Sequence, residues 1–88
     1  MWHVYLIRTK MGQLYTGVTQ DVPRRFKEHQ KEGGKGAKYL KGKKPIKLVF
    51  HKKIGSRSQA LKTEAQIKKW PKKKKEALVN NEIPLEHL

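Results

Sequence analysis

Two short runs rich in β-branched and aromatic residues, His3 to Arg8 and Gln13 to Thr19, lie so close together that they admit little but a β-hairpin. Lys10, Met11 and Gly12 stand between them. A three-residue loop ending in a glycine at the left-handed position pairs residues whose numbers sum to 22. That register sets Val4 against Val18 and Leu6 against Thr16 on one face, and Ile7 against Tyr15 and Tyr5 against Gly17 on the other. A slip of one residue would scramble both faces. Tyr5 and Tyr15 then share a face. Because Gly17 has no side chain, open space is predicted beside the Tyr5 ring, which suits a cleft better than a core.

After the hairpin, Asp21 is a good N-cap and Pro23 falls in the first turn, where its missing N–H costs nothing, so a helix is predicted over 22–32. Within it Arg25 and His29 lie one above the other, flanked by Phe26, whose stripe with Val22 faces the sheet. A cation and an imidazole thus border the buried side.

The chain has 88 residues, enough for one domain with a small core. It has no cysteine, hence no disulfide framework and no thiolate zinc site. Met1-Trp2-His3 runs straight into a strand with no signal peptide, and no apolar run approaches membrane-spanning length, so a cytoplasmic, soluble protein is expected. Twenty-two Lys and Arg against seven Asp and Glu give a net charge of +15, which makes polyanions the natural partners. Nucleic acid comes first and an anionic membrane surface second. Charge alone does not choose between a nuclease, a passive binder and a membrane-surface protein.

Residues 33–45, GGKGAKYLKGKKP, form the one long loop. Its lysines, Lys35 and Lys38 among them, suit contact with a phosphate backbone, and Tyr39 is available to stack on a base; the plainer reading packs Tyr39 on the sheet edge. Alternation of Ile46, Leu48 and Phe50 with Lys47, Val49 and His51 predicts a third strand over 46–54. Ser56 and Gln59 make a capping box for a helix over 57–70, and Pro71 restarts the chain as a third helix over 72–80, with the lysine run outward and Leu78 and Val79 inward. The remainder, 81–88, reads as a tail with only Ile83, Leu85 and Leu88 to hold it. There is no internal repeat.

On the second helix the apolar positions are Ala60, Leu61, Ala65 and Ile67, and Glu64 projects from the middle of that stripe. Burying an unpaired charge costs several kcal/mol as an order of magnitude, so Glu64 needs a partner: a metal ion, or an ion pair with Arg25 or Lys68. Both stay open on the sequence. Asp21 caps a helix, Glu28, Glu32 and Glu76 read as solvated, and Glu82 and Glu86 fall in the tail, which leaves Glu64 as the acid for chemistry. His3, His51 and His87 are scattered and form no metal-ligand spacing.

Val4-Tyr5, then Tyr15-Thr16-Gly17, then Arg25 and His29, then Glu64, together resemble the GIY-YIG nuclease domain, over about His3 to Val79 and most closely its small stand-alone members. His3-Val4 stands where Gly-Ile is usual and Thr16 replaces the middle Ile. Only Asn80 or Asn81 could match the asparagine that members often carry near the domain's end. The resemblance implies that Tyr5 acts as general base or water activator, Arg25 holds the scissile phosphate, and Glu64 holds one Mg²⁺ or Mn²⁺ ion. A free tyrosine is ionised about one part in a thousand at pH 7, so Tyr5 needs help, and His29 is placed to relay its proton. Tyr15 would orient water or phosphate, and Lys68 would contact phosphate or stay solvated.

The expectation is therefore an α/β domain over 1–80 with a small three-stranded antiparallel sheet flanked by helices. Its expected activity is that of a metal-dependent endonuclease on DNA ahead of RNA, in repair or processing, with any protein partner supplying specificity. The alternative is a non-catalytic, basic nucleic-acid-binding module. A phenol of Tyr5 sealed in the interior, or a Glu64 carboxylate turned away from it, would count against the hydrolase and leave a passive polyanion holder.

Overall fold

The first two strands, β1 (Trp2–Arg8) and β2 (Leu14–Thr19), make the expected hairpin, and every pair from His3↔Thr19 to Arg8↔Leu14 obeys the predicted register. The turn works as its glycine requires. Gly12 sits at φ +85°, its N–H donates to the Thr9 carbonyl at 2.9 Å, and the Thr9 N–H donates to the Gln13 carbonyl at 2.9 Å. This is a computed structural model in which residues 1–31 and 38–85 are described.

β3 (Lys47–Gly55) pairs antiparallel with β1, giving the strand order β2-β1-β3. The central position of β1 explains why Val4, Tyr5, Leu6 and Ile7 are all buried in succession: both faces of the sheet are covered. Even residues of β1 point one way and odd residues the other, and each set founds a separate apolar cluster. Val4 and Leu6 pack with Ile67, Leu78 and Leu85. Tyr5 and Ile7 pack with Leu40, and Tyr15, Phe26, Ile46 and Leu48 gather around them.

The simple alternation expected along β3 is broken. Leu6 pairs with Phe50 but Ile7 with Leu48, so Val49 is an extra residue, a bulge that turns the strand over. Ile46 and Leu48 therefore join the Tyr5 cluster, whereas Val49, Phe50 and Ile54 join the other.

The helices are α1 (Val22–Gln30), α2 (Arg57–Lys69) and α3 (Lys72–Val79), with a 3₁₀ turn at Lys38–Leu40. The Asp21 carboxylate accepts from the Arg24 N–H at 3.1 Å, as an N-cap should, and α1 ends at Gln30, two residues short of its predicted end. On α2 both halves of the Ser56/Gln59 capping box form, at 3.2 and 3.0 Å. Its buried positions are Ala60, Thr63 and Ile67, whereas Ala65, expected in the stripe, is exposed. The Thr63 hydroxyl escapes the penalty of burial by donating to the Gln59 carbonyl at 3.0 Å.

Two acids assigned to solvated faces are in fact paired. Glu76 takes a two-pronged grip from Arg8, at 2.7 and 2.6 Å, and Glu28 receives Arg25 at 2.9 Å. The segment after α3 is also held: Leu85 is 6% exposed and lies in the Val4 cluster, with Ile83 packed against it. No helix among the described residues is long and apolar enough to cross a membrane.

Candidate active site

Tyr5 projects from the middle of the central strand, and its ring lies across the backbone of Gly17 on the neighbouring strand. A Cβ at position 17 would sit 2.5 Å from the phenol oxygen and 2.6 Å from Cζ, so only glycine leaves room for the ring. The space predicted beside Tyr5 exists, but the ring itself fills it. Tyr5 is 2% exposed, which corrects the expectation of an open cleft.

A buried phenol needs a hydrogen-bond partner, and α1 supplies two. The phenol oxygen lies 2.7 Å from Nε2 of His29, itself 2% exposed, and the Arg25 guanidinium one turn earlier is also within hydrogen-bonding reach of it. Tyr15, beside Tyr5 on the same sheet face, meets the edge of the imidazole with ring centroids 5.6 Å apart at 71°, and lies 6.3 Å from the Tyr5 ring. The spacing of residues 5 and 15 across the hairpin and of residues 25 and 29 along the helix brings these four side chains together as expected.

The electrostatics of the group follow from its burial. Desolvation, then the proximity of Tyr15, raises the Tyr5 phenol well above its ordinary value; Arg25 opposes the shift and Glu64 adds to it. Desolvation, then the charge of Arg25, pushes His29 down to about 4. At neutral pH the pair is thus an un-ionised phenol beside a neutral imidazole. The guanidinium can donate to the phenol oxygen while the phenol donates to Nε2.

Glu64 sits on α2 with its side chain 18% exposed, close enough for its charge to act on Tyr5. Of the partners left open by the sequence, Lys68 is the one that pairs with it, at 3.4 Å, while Arg25 is engaged by Glu28. Among the described residues no group of three or more His, Cys, Asp or Glu could cage a metal ion. A lone half-buried carboxylate does suit a hard divalent cation such as Mg²⁺, which keeps most of its waters and takes one or two protein oxygens.

Of the residues assigned to nucleic acid, Lys38 is exposed on the 3₁₀ turn, and Lys35 lies outside the described residues. Tyr39, 43% exposed, packs on the sheet edge as the plainer reading has it: it stacks on Tyr15 of the outer strand β2 with centroids 5.7 Å apart at 23°. The Lys43 ammonium lies 3.4 Å from the centre of the Tyr39 ring, a contact the sequence reading missed although a lysine four residues past a tyrosine was there to be noticed. Asn81 has a structural task. It ends α3 at φ 60°, donating to the Leu78 carbonyl while the Glu82 N–H donates to Ala77, the double closure of a Schellman cap.

A family profile described as the GIY-YIG catalytic domain matches residues 1–77. The chain belongs to the GIY-YIG family. Within it, the chain is 54% identical over 82 residues to a UPF0213 protein of Yersinia enterocolitica, covering 93% of this chain and 82% of that one. A UPF0213 protein of Yersinia pestis matches at 54% over 79 residues, with 90% and 81% covered. The solution NMR structure of a UPF0213 protein from Bacillus halodurans superposes with a TM-score of 0.57 at 42% identity, covering 91% of this chain and 84% of that one. Within the GIY-YIG fold, Tyr5, Tyr15 and Gly17 fall on the hairpin and Arg25 and His29 on the helix after it.

Proposed function

We propose that this domain is a divalent-metal-dependent endonuclease that hydrolyses phosphodiester bonds in nucleic acid, DNA ahead of RNA, in cytoplasmic repair or processing. The observation that carries the reading is the 2.7 Å contact between the Tyr5 phenol and His29 Nε2, with the charge of Arg25 acting on both groups. A phenol and an imidazole buried against each other, with a partly exposed guanidinium beside them, cost desolvation that apolar side chains would not, and mere phosphate binding has no use for them. GIY-YIG membership and the net charge of +15 support a polyanionic substrate.

In this reading Arg25 holds the scissile phosphate and stabilises the Tyr5 phenolate. Tyr5 draws the proton from the attacking water, His29 receives the phenol's own proton, and Tyr15 orients the water or the phosphate. An ion held by Glu64 would supply charge stabilisation at the leaving oxygen. Lys38 and Lys68 would meet flanking phosphates, Lys68 by exchanging its ion pair with Glu64. In the closed site the phenol holds its proton tightly. Burial and Arg25 hold His29 down to about 4 and burial holds Tyr5 above its ordinary value, so proton transfer from the phenol to the imidazole is uphill in the closed site. The step therefore requires bound substrate to change the surroundings of the pair.

The burial of Tyr5 favours a second reading, a basic module that holds nucleic acid without cutting it. Cleavage of supercoiled plasmid, single strands and branched DNA, with Mg²⁺ or Mn²⁺ and with chelator, separates the two. Metal-dependent nicking that falls at least ~100-fold in both Tyr5→Phe and Glu64→Ala is the expected result. Binding to all three substrates with no cleavage of any would leave the module.

A further inference from the structure

We propose that Tyr39 and Lys43 form a subsite for one unpaired nucleotide. The base stacks on the face of Tyr39 that the lysine now covers, and the displaced ammonium passes to that nucleotide's phosphate. This inference rests on the nucleic-acid reading above and gives it a substrate class: strands with an unpaired nucleotide, as at a single-stranded tail, gap or flap.

Tyr39 is the one tyrosine that combines substantial exposure with a firm support. It is 43% exposed, whereas Tyr5 is buried and Tyr15 half-buried, and its stacking on Tyr15 ties it directly to the group around the Tyr5 phenol. The segment that carries it is wound tightly. The Lys41 N–H donates to the Lys38 carbonyl at 3.2 Å and the Lys43 N–H to the Leu40 carbonyl at 3.1 Å, and Gly42, at φ +77°, supplies the left-handed step that returns Lys43 over the ring. The Lys10 N–H then donates to the Lys43 carbonyl at 3.2 Å, fixing the segment to the hairpin. A ring so placed is a platform with little order left to lose on binding.

The ammonium over the ring is a weak occupant. A cation over an exposed aromatic face is held less strongly than a nucleobase stacked on one, so the base displaces it. The lysine loses nothing by leaving, because a base brings its own phosphate. Among the described residues Lys10, Lys38, Lys41 and Lys43 make no ion pair with a carboxylate, so all four are available to the strand on either side. The requirement for an unpaired base follows from geometry. Inside a duplex both faces of each base are taken by its neighbours, and at a blunt end the one bared face belongs to a pair locked in the helix, so an unpaired base is the one free to turn onto a tyrosine beside the site.

The test uses the full chain carrying Tyr5→Phe, so that binding is read without cleavage. Fluorescence anisotropy compares short single strands of DNA and of RNA, a blunt duplex, and the same duplex with an unpaired overhang. Adding Tyr39→Ala should weaken binding to the single strands and the overhang by about tenfold and to the blunt duplex by less than about twofold; Tyr39→Trp should restore it. Lys43→Gln should flatten the dependence of log affinity on log salt for single strands by roughly 0.7, the loss of one phosphate contact. Equal losses on duplex and single strand, or no loss in Tyr39→Ala, would overturn the subsite. Thermal melting of each variant checks the fold, and the ring's exposure makes its loss cheap. Because the readout is binding, a protein that cuts nothing can still show the subsite, and a nuclease can lack it.

Discussion

His29 shows at the level of a single residue what the buried group costs. Its imidazole is 2% exposed and, through desolvation and then the charge of Arg25, titrates in the folded protein at about 4 against an ordinary 6.5. Between these two values the unfolded chain takes up a proton that the native protein refuses, so stability is fully present above 6.5 and is lost as pH falls toward 4. The loss amounts to ~2 kcal/mol between pH 7 and pH 5. Urea unfolding at the two pH values measures it directly, and His29→Gln should remove most of the difference. A smaller slope should remain from His3, whose pKa burial also lowers, while Glu76, held low by its hydrogen bond from Arg8, titrates below its ordinary 4.5 and outside this window. If wild type and His29→Gln fall equally, the imidazole is not the buried neutral base described. The convergence of Tyr5, Tyr15, Arg25 and His29 was legible because two periodicities, alternation across a hairpin and a repeat of four on a helix, determine which side chains meet. The burial of Tyr5 was not, since a glycine shows that room exists and not what occupies it. The same limit applies to Glu64, where an acid beside an apolar stripe announces a partner without saying which.

Among the elements, α3 is the one that local preference least explains. It has eight residues, its N-cap is Pro71 with no side-chain hydrogen bond, and Lys72, Lys73, Lys74 and Lys75 crowd the end where the helix dipole is already positive. Tertiary contacts hold it instead: Leu78 in the core, the Lys74 ammonium 4.3 Å from the centre of the Trp70 ring, and above all the two-pronged contact of Glu76 with Arg8 at the end of β1. Both ends of that bridge are about 30% exposed, so its worth is ~1 kcal/mol rather than that of a buried pair. Glu76→Gln should therefore lower stability by about that much and speed by roughly fivefold the exchange of the α3 amides and of every core amide that exchanges only through global unfolding. Unchanged protection of α3 would mean that its apolar contacts suffice. Position and type of all six regular elements were legible from caps, prolines and periodicity. Two side-chain placements were not, and for one reason: they depend on distant partners. A bulge at Val49 answers to how β3 must curve along β1, and the Arg8–Glu76 bridge spans nearly the whole sequence.

For the whole molecule the governing quantity is the +15 charge carried by a body with a radius of gyration of 12.4 Å. Two like charges about 12 Å apart repel by ~0.3 kcal/mol in water, and an excess of this size makes about a hundred such pairs. Even after screening, the sum outweighs the four ion pairs of the described residues, each worth at most ~1 kcal/mol at the surface. Unfolding relieves the repulsion by spreading the charges over a much larger volume. Salt should therefore stabilise this protein, because it screens the many repulsions more than it weakens the few attractions. Raising sodium chloride from 0.01 to 0.5 M should lift Tm by roughly 5 °C or more. Over the same range affinity for nucleic acid should fall steeply, since the lysines that repel one another in the free protein release counterions from phosphate in the complex. The two slopes must have opposite signs if one set of charges underlies both. A Tm that falls with salt would mean that ion pairing dominates, and the excess of lysine would then not be a strain that a bound polyanion relieves.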